Sequence, residues 1–293
     1  MLGDKDPIAS AHSRAVSFYG EHCGLFVRLI LPAVIFSAAA LSLGWYFSAT
    51  TLRDAALEWR ATGEWPMAKI LLASTIRFLT VAVSWIIFCF SFGAIAVAVD
   101  ELLQGGHPYA EGCYGAMRER FGGLVLLAMI LGAIIFSLMA IPAGIATVWA
   151  LRVGLRDPFP FVTVLAVDLI ALGLVVRWTF ALPAFALDHK PSWESIRWSD
   201  KASDGYLLQL WWLFLLSEGL AWLLGNAPGY VARALGGYLT LPRHIDWVVY
   251  ISAVLLAGLV QPIPAIGTAL LYLEARQPQR GSAVDPPETK APA

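Results

Sequence analysis

Acidic and basic side chains are scarce in this sequence. Only 14% of its 293 residues are Asp, Glu, Lys or Arg, against about 25% in an ordinary soluble domain. The shortage is concentrated: residues 29–52, 78–99, 121–151 and 247–273 contain none of the four. Each run exceeds the roughly 20 residues that cross a bilayer as a helix. Two more, 159–187 and 206–232, are equally long and hold isolated charges. The runs are continuously apolar and do not alternate, which favours helices over a β-barrel, the other backbone arrangement that lipid tolerates.

Cysteine is nearly as sparse. Cys23, Cys89 and Cys113 are far apart and form no CxxC pair, so neither a disulfide framework nor a thiolate metal site is expected. With a formal net charge of −1 and no basic stripe, a nucleic-acid partner is excluded. GxSxG, HExxH, Walker A and a strand-to-helix dinucleotide glycine pattern are all missing. The five histidines, His12, His22, His107, His189 and His244, fall outside the apolar runs, and no two have ligand spacing on one helix. No metal, cofactor or enzymatic activity is therefore expected. The first 20 residues carry Asp4, Lys5, Asp6 and Arg14 and lack an apolar core, so a cleavable signal peptide is not expected either.

What is present predicts an all-α, polytopic membrane bundle of six transmembrane helices. It would form one domain over residues 1–275, with an N-terminal surface helix at about 8–24 and a disordered cytoplasmic tail at 276–293. Twelve of the 20 Lys and Arg fall on one side if both termini are cytoplasmic, which is the orientation expected in a bacterial inner membrane. The partners expected are the bilayer, and a membrane protein or a second copy of the chain.

An internal repeat is visible. The second, fourth and sixth runs stop at Asp100, Asp188 and Glu274, at intervals of 88 and 86 residues. Polar segments at 10–24, 109–123 and 192–205 precede the first, third and fifth runs. The pattern reads as three units of surface helix, span and span, with all three surface helices on one side. In the third segment Trp193, Ile196 and Arg197 share a helical face, and Glu194, Trp198 and Lys201 share another. Trp, with Arg or Lys beside it, suits the membrane interface, so Trp193, Ile196, Arg197 and Trp198 form a candidate interfacial helix. A ligand or catalytic loop around His189 and Glu194 is the alternative.

The same region carries a resemblance. Arg177 lies in an apolar helix that leaves through Leu182-Pro183-Ala184 to Asp188, followed by Ser195-Ile196-Arg197-Trp198-Ser199 and a stop at Gly205. Residues 177–205 resemble the membrane domain attached to some bacterial glycerophosphoryl diester phosphodiesterases, and related uncharacterised six-span bacterial membrane proteins. The resemblance implies a six-span fold. It does not imply the phosphodiesterase, which in that family is a separate soluble barrel of about 250 residues; only 19 residues follow Glu274 here.

Charges inside the runs mark the last candidates. Asp168 and Arg177 fall in the fourth run and Glu218 in the fifth. Arg177 precedes Asp188 by 11 residues, about 16 Å along a straight helix, and Glu218 is equally deep. Arg177 and Glu218 are thus expected to pair near the bilayer midplane. Intramembrane charges are costly and mark either a helix-locking ion pair or a substrate pathway. The first reading goes with a non-enzymatic membrane-organising or assembly component, the second with a transporter using Arg177, Glu218 and Asp168.

Overall fold

A computed structural model describes residues 7–64, 66–153, 162, 173–236 and 245–281, and every regular element among them is an α-helix. In chain order these are α1 (Pro7–Glu21), α2 (Cys23–Thr62), α3 (Met67–Leu103), α4 (Ala110–Arg118), α5 (Phe121–Val153), α6 (Ala181–Leu187), α7 (Ser192–Ala202), α8 (Leu207–Gly236), α9 (Ile245–Gly258) and α10 (Pro262–Gly281). Four stretches are long and apolar enough to cross a membrane: α2, α3, Leu207–Val231 within α8, and Ile251–Arg276, which α9 and α10 supply together. A fifth is obtained if α4 and α5, bent by 80° at their junction, count as one broken span. The protein is an all-α polytopic bundle. Residues 159–161 and 163–172 of the expected fourth run, Asp168 among them, lie outside the described residues, as do His244 and residues 282–293.

The first hairpin is far longer than a span requires. The 40 residues of α2 extend about 60 Å at 1.5 Å per residue, twice the roughly 30 Å hydrocarbon core. Its charge-free part ends at Leu52, and Arg53, Asp54, Glu58 and Arg60 follow. Gly63 ends the helix in the left-handed region at φ 75° and donates its N–H to the Trp59 carbonyl, a stop that suits glycine. Beyond the turn Lys69 of α3 reaches back to Glu58 at 2.7 Å.

The other half of α3 is the centre of the bundle, touching α2, α4, α5, α6 and α10. Its residues Gly93, Ala94, Ala96 and Ala98 are small and buried, so neighbouring helices approach closely. Phe26, Leu29 and Ile30 of α2, Leu124 and Leu127 of α5, and Ile266 and Ala269 of α10 fill the space around them. Ile35, Leu43, Leu79, Val83, Leu215 and Leu216 point outward. Such a surface would promote aggregation in water; acyl chains are its proper solvent.

The last span is broken. Pro262 and Pro264 have no N–H to donate, and tighter bonds from Val260 to Ala257 and from Ile263 to Val260 mark the join of α9 and α10. The Leu259 carbonyl is taken instead by the Tyr19 hydroxyl of α1 at 3.2 Å. Just before the break, Gly258 meets α2 so closely that a β-carbon there would collide with both methyls of Val34, which is itself buried. Val34 is β-branched and cannot turn aside.

Gly258→Ala is therefore expected to destabilise the bundle by about 1–3 kcal/mol, the usual cost of overpacking. Adding Val34→Ala should restore part of the loss. Thermal unfolding in detergent, followed by circular dichroism, checks both variants; additive losses would show that the two residues do not meet.

Candidate functional site at the polar end of the bundle

Arg177 lies at the polar end and pairs there. Its Nη2 donates to Oδ1 of Asp204 at 2.6 Å, and Nη1 is 3.6 Å from Oδ1 of Asp200. Its carbonyl accepts from the Ser199 hydroxyl at 2.6 Å. The expected pairing with Glu218 is thus corrected: Glu218 accepts from the Gln261 amide at 3.4 Å, beside the break in the last span. The expected pairing fails because α7 packs along α6 and brings Asp200 and Asp204 beside Arg177. The helical bonding is also interrupted at Thr179–Phe180, where the Thr179 N–H goes to Val176. Pro183 causes this, since it has no N–H for the Thr179 carbonyl four residues earlier. Arg177 is about 39% exposed and pairs with Asp200 and Asp204, so it and Glu218 do not converge; Asp168, the third pathway residue, lies outside the described residues.

The carboxylate that gathers the end of the bundle is Asp188. It accepts from the Tyr272 hydroxyl at 2.5 Å and from Nη2 of Arg276 at 2.8 Å, and Nζ of Lys190 is 3.9 Å away. Its side chain is only 14% exposed. Tyr272 is fully buried between Phe180 and Trp198, with ring centroids 5.9 and 4.7 Å away. Lys190 lies over the Trp198 ring at 4.2 Å. Burial holds its ammonium below the usual lysine range, with Asp188 acting in the opposite direction. Next in the chain, His189 has a φ of 60°, rare for a residue with a side chain. Its Nδ1 accepts from Arg120, at the junction of α4 and α5.

The other two terminal acids are also engaged. Glu274 pairs with Arg14 of α1, and Asp100 accepts from the Gln104 amide at 2.8 Å. α1 packs along α8 and α10, burying Ala11 and Ala15. Burial there lowers the pKa of His12, whose Nδ1 has no partner among the described residues.

Within α7 the structure redraws the faces. Ile196 is buried, whereas Trp193 is 54% exposed with Arg197 stacked 5.8 Å from its ring. The three do not share a buried face. The inward arc is instead Ser192, Ser195, Ile196, Ser199 and Ser203, all buried. Ser192 donates to the Gly123 carbonyl of α5 at 2.9 Å, and Ser199 to that of Arg177. The serine spacing of three, four and four residues was readable in the sequence; the apolar and aromatic residues drew the reading to the wrong side. Trp198 faces inward onto Tyr272, where it also meets Lys190.

Chemically, the arrangement ties helices together by matched charges and hydroxyl-to-carbonyl bonds. Among the described residues no group of three His, Cys, Asp or Glu side chains could hold a metal ion.

Asp188→Ala leaves a buried hydroxyl and a guanidinium without their acceptor and is expected to cost about 2–3 kcal/mol. Asp204→Ala, which removes an exposed pair, is expected to cost at most about 1 kcal/mol. Detergent melts of the two variants check the ranking; equal losses would contradict the central place of Asp188. Compared with protein-family models, with curated proteins and with solved structures, the chain matches none.

Proposed function

We propose that the protein is a non-enzymatic assembly component of a bacterial inner membrane, with six spans arranged as three units of surface helix and two spans. Both termini are placed in the cytoplasm, together with the polar end around Asp188. The resemblance of residues 177–205 to the membrane domain of some glycerophosphoryl diester phosphodiesterases fits this reading. Two residues that carry the resemblance meet, since the Arg177 carbonyl accepts from the Ser199 hydroxyl, and the Arg177 guanidinium pairs with Asp204, next to Gly205.

The observation that carries the assembly role is the α2–α3 hairpin. Past Leu52 it continues for ten residues of α2 to Thr62, about 15 Å, and α3 returns alongside. This arm carries charge, so it stands in water, yet Leu57, Met67, Leu71 and Leu72 are 53–61% exposed on it. Apolar side chains on a charged, projecting helical pair suit a protein surface more than they suit water. The partner is a second copy of the chain or another membrane protein. A transport pathway has less support, because Arg177 is already paired with Asp200 and Asp204.

Serine at Leu57, Leu71 and Leu72 together is expected to leave helix content and membrane insertion unchanged. It should lower the mass of the complex extracted from native membranes in mild detergent, read on a native gel. A wild-type chain that runs as a single copy, or a variant complex of unchanged mass, overturns the assembly reading.

A further inference from the structure

Between α2, α3 and α4 lies a groove of about 340 Å³ lined by Pro32, Phe36, Ile87, Phe90, Ser91 and Tyr114. Its walls belong to the charge-free parts of α2 and α3, and Phe36 on its rim is 63% exposed. Tyr114 closes the polar end: its hydroxyl donates to the Leu29 carbonyl, and its ring stacks on Phe90 at 5.5 Å and 6°. That bond sets α4 across the start of the α2 span. The groove therefore begins at the interface and runs toward the bilayer core.

Two guanidiniums lie one helical turn from residues that line the groove. Arg28 is one helical turn before Pro32 on the stripe that continues to Phe36, and Arg118 is one turn after Tyr114 on α4. Both are exposed, and neither has a carboxylate partner among the described residues. By contrast Arg14, Arg177 and Arg276, at the same end, are all paired.

We infer that this groove binds an anionic glycerophospholipid from the surrounding leaflet. One acyl chain lies along Phe36, Ile87 and Phe90, and the phosphate sits between Arg28 and Arg118. An apolar slot reached from the bilayer fits an acyl chain, and two unpaired guanidiniums at its polar end select a negative headgroup. Tyr114 is at the headgroup level where its amphipathic ring is at home. The inference depends on the membrane placement of the bundle and not on its assembly role.

Native mass spectrometry of the full chain tests it, with phosphatidylglycerol and phosphatidylcholine of identical acyl chains added in equal amounts. Phosphatidylglycerol should be retained preferentially. Arg28→Gln and Arg118→Gln should each cut that preference about fivefold. Ile87→Trp fills the groove and keeps both arginines, and it should lose both lipids. Phe36→Ala, on the exposed wall, should weaken retention of both without affecting folding. Preference unchanged in the double arginine variant overturns the headgroup site. Retention unchanged in Phe36→Ala, and in Ile87→Trp of native helix content, overturns the groove. Displacement of the bound lipid by inorganic phosphate would show a free-phosphate site and would also overturn the inference.

Discussion

The carboxylate of Asp188 joins the end of α6 to the last helix through the Tyr272 hydroxyl and the Arg276 guanidinium. Little of that carboxylate reaches solvent, and an enclosed charge is tolerable only with its partners in place. Fixing Asp188 fixes His189 against Arg120 and orients Pro191, from which α7 departs. Tyr272, held at the same point, packs between Phe180 and Trp198 and so aligns the turn before α6 with α7. Two residues after Tyr272, Glu274 binds Arg14 and brings in α1. The polar end is one connected set of contacts, and Asp188 stands at its middle.

A second regularity follows from lipid as solvent. Backbone carbonyls left open in a membrane cost several kcal/mol each. In this bundle a hydroxyl from each of the short helices α1, α4 and α7 reaches a carbonyl of a neighbouring span: Tyr19 to Leu259, Tyr114 to Leu29, and Ser192 to Gly123. Ser199 does the same for Arg177, just before the turn that Pro183 imposes. These short helices are thereby held by directional bonds as well as by apolar contact. Serine is suited to the task because its short side chain lets α7 lie close while still donating.

Helical class and the runs that became α2, α3, α5, α8 and the α9–α10 pair were legible because a membrane imposes long charge-free stretches. The acids that end the runs were legible as a pattern. Their partners were not, since Tyr272, Arg276 and Arg14 are distant in sequence and meet Asp188 and Glu274 only in the fold. The partner of Arg177 was misread because Asp200 and Asp204 reach it only once α7 packs along α6. On α7 Trp193 and Arg197 are exposed, and the inward serines were passed over because hydrophobicity was taken as the mark of a buried face. Asp168 lies outside the described residues, so its role in the fourth run stays a matter of sequence.

On the proposed arrangement α1, the end of α3, the α4–α5 junction and the start of α7 share one membrane face, opposite the α2–α3 arm. Single cysteines at Val16, Arg118, Trp193 and Leu103, and on the arm at Arg60, in a chain with Cys23, Cys89 and Cys113 replaced by serine, test it most directly. A membrane-impermeant maleimide applied to intact cells should label Arg60→Cys alone. It should label the other four only after the membrane is opened. Labelling of Arg60→Cys together with Trp193→Cys or Val16→Cys in intact cells would contradict the account.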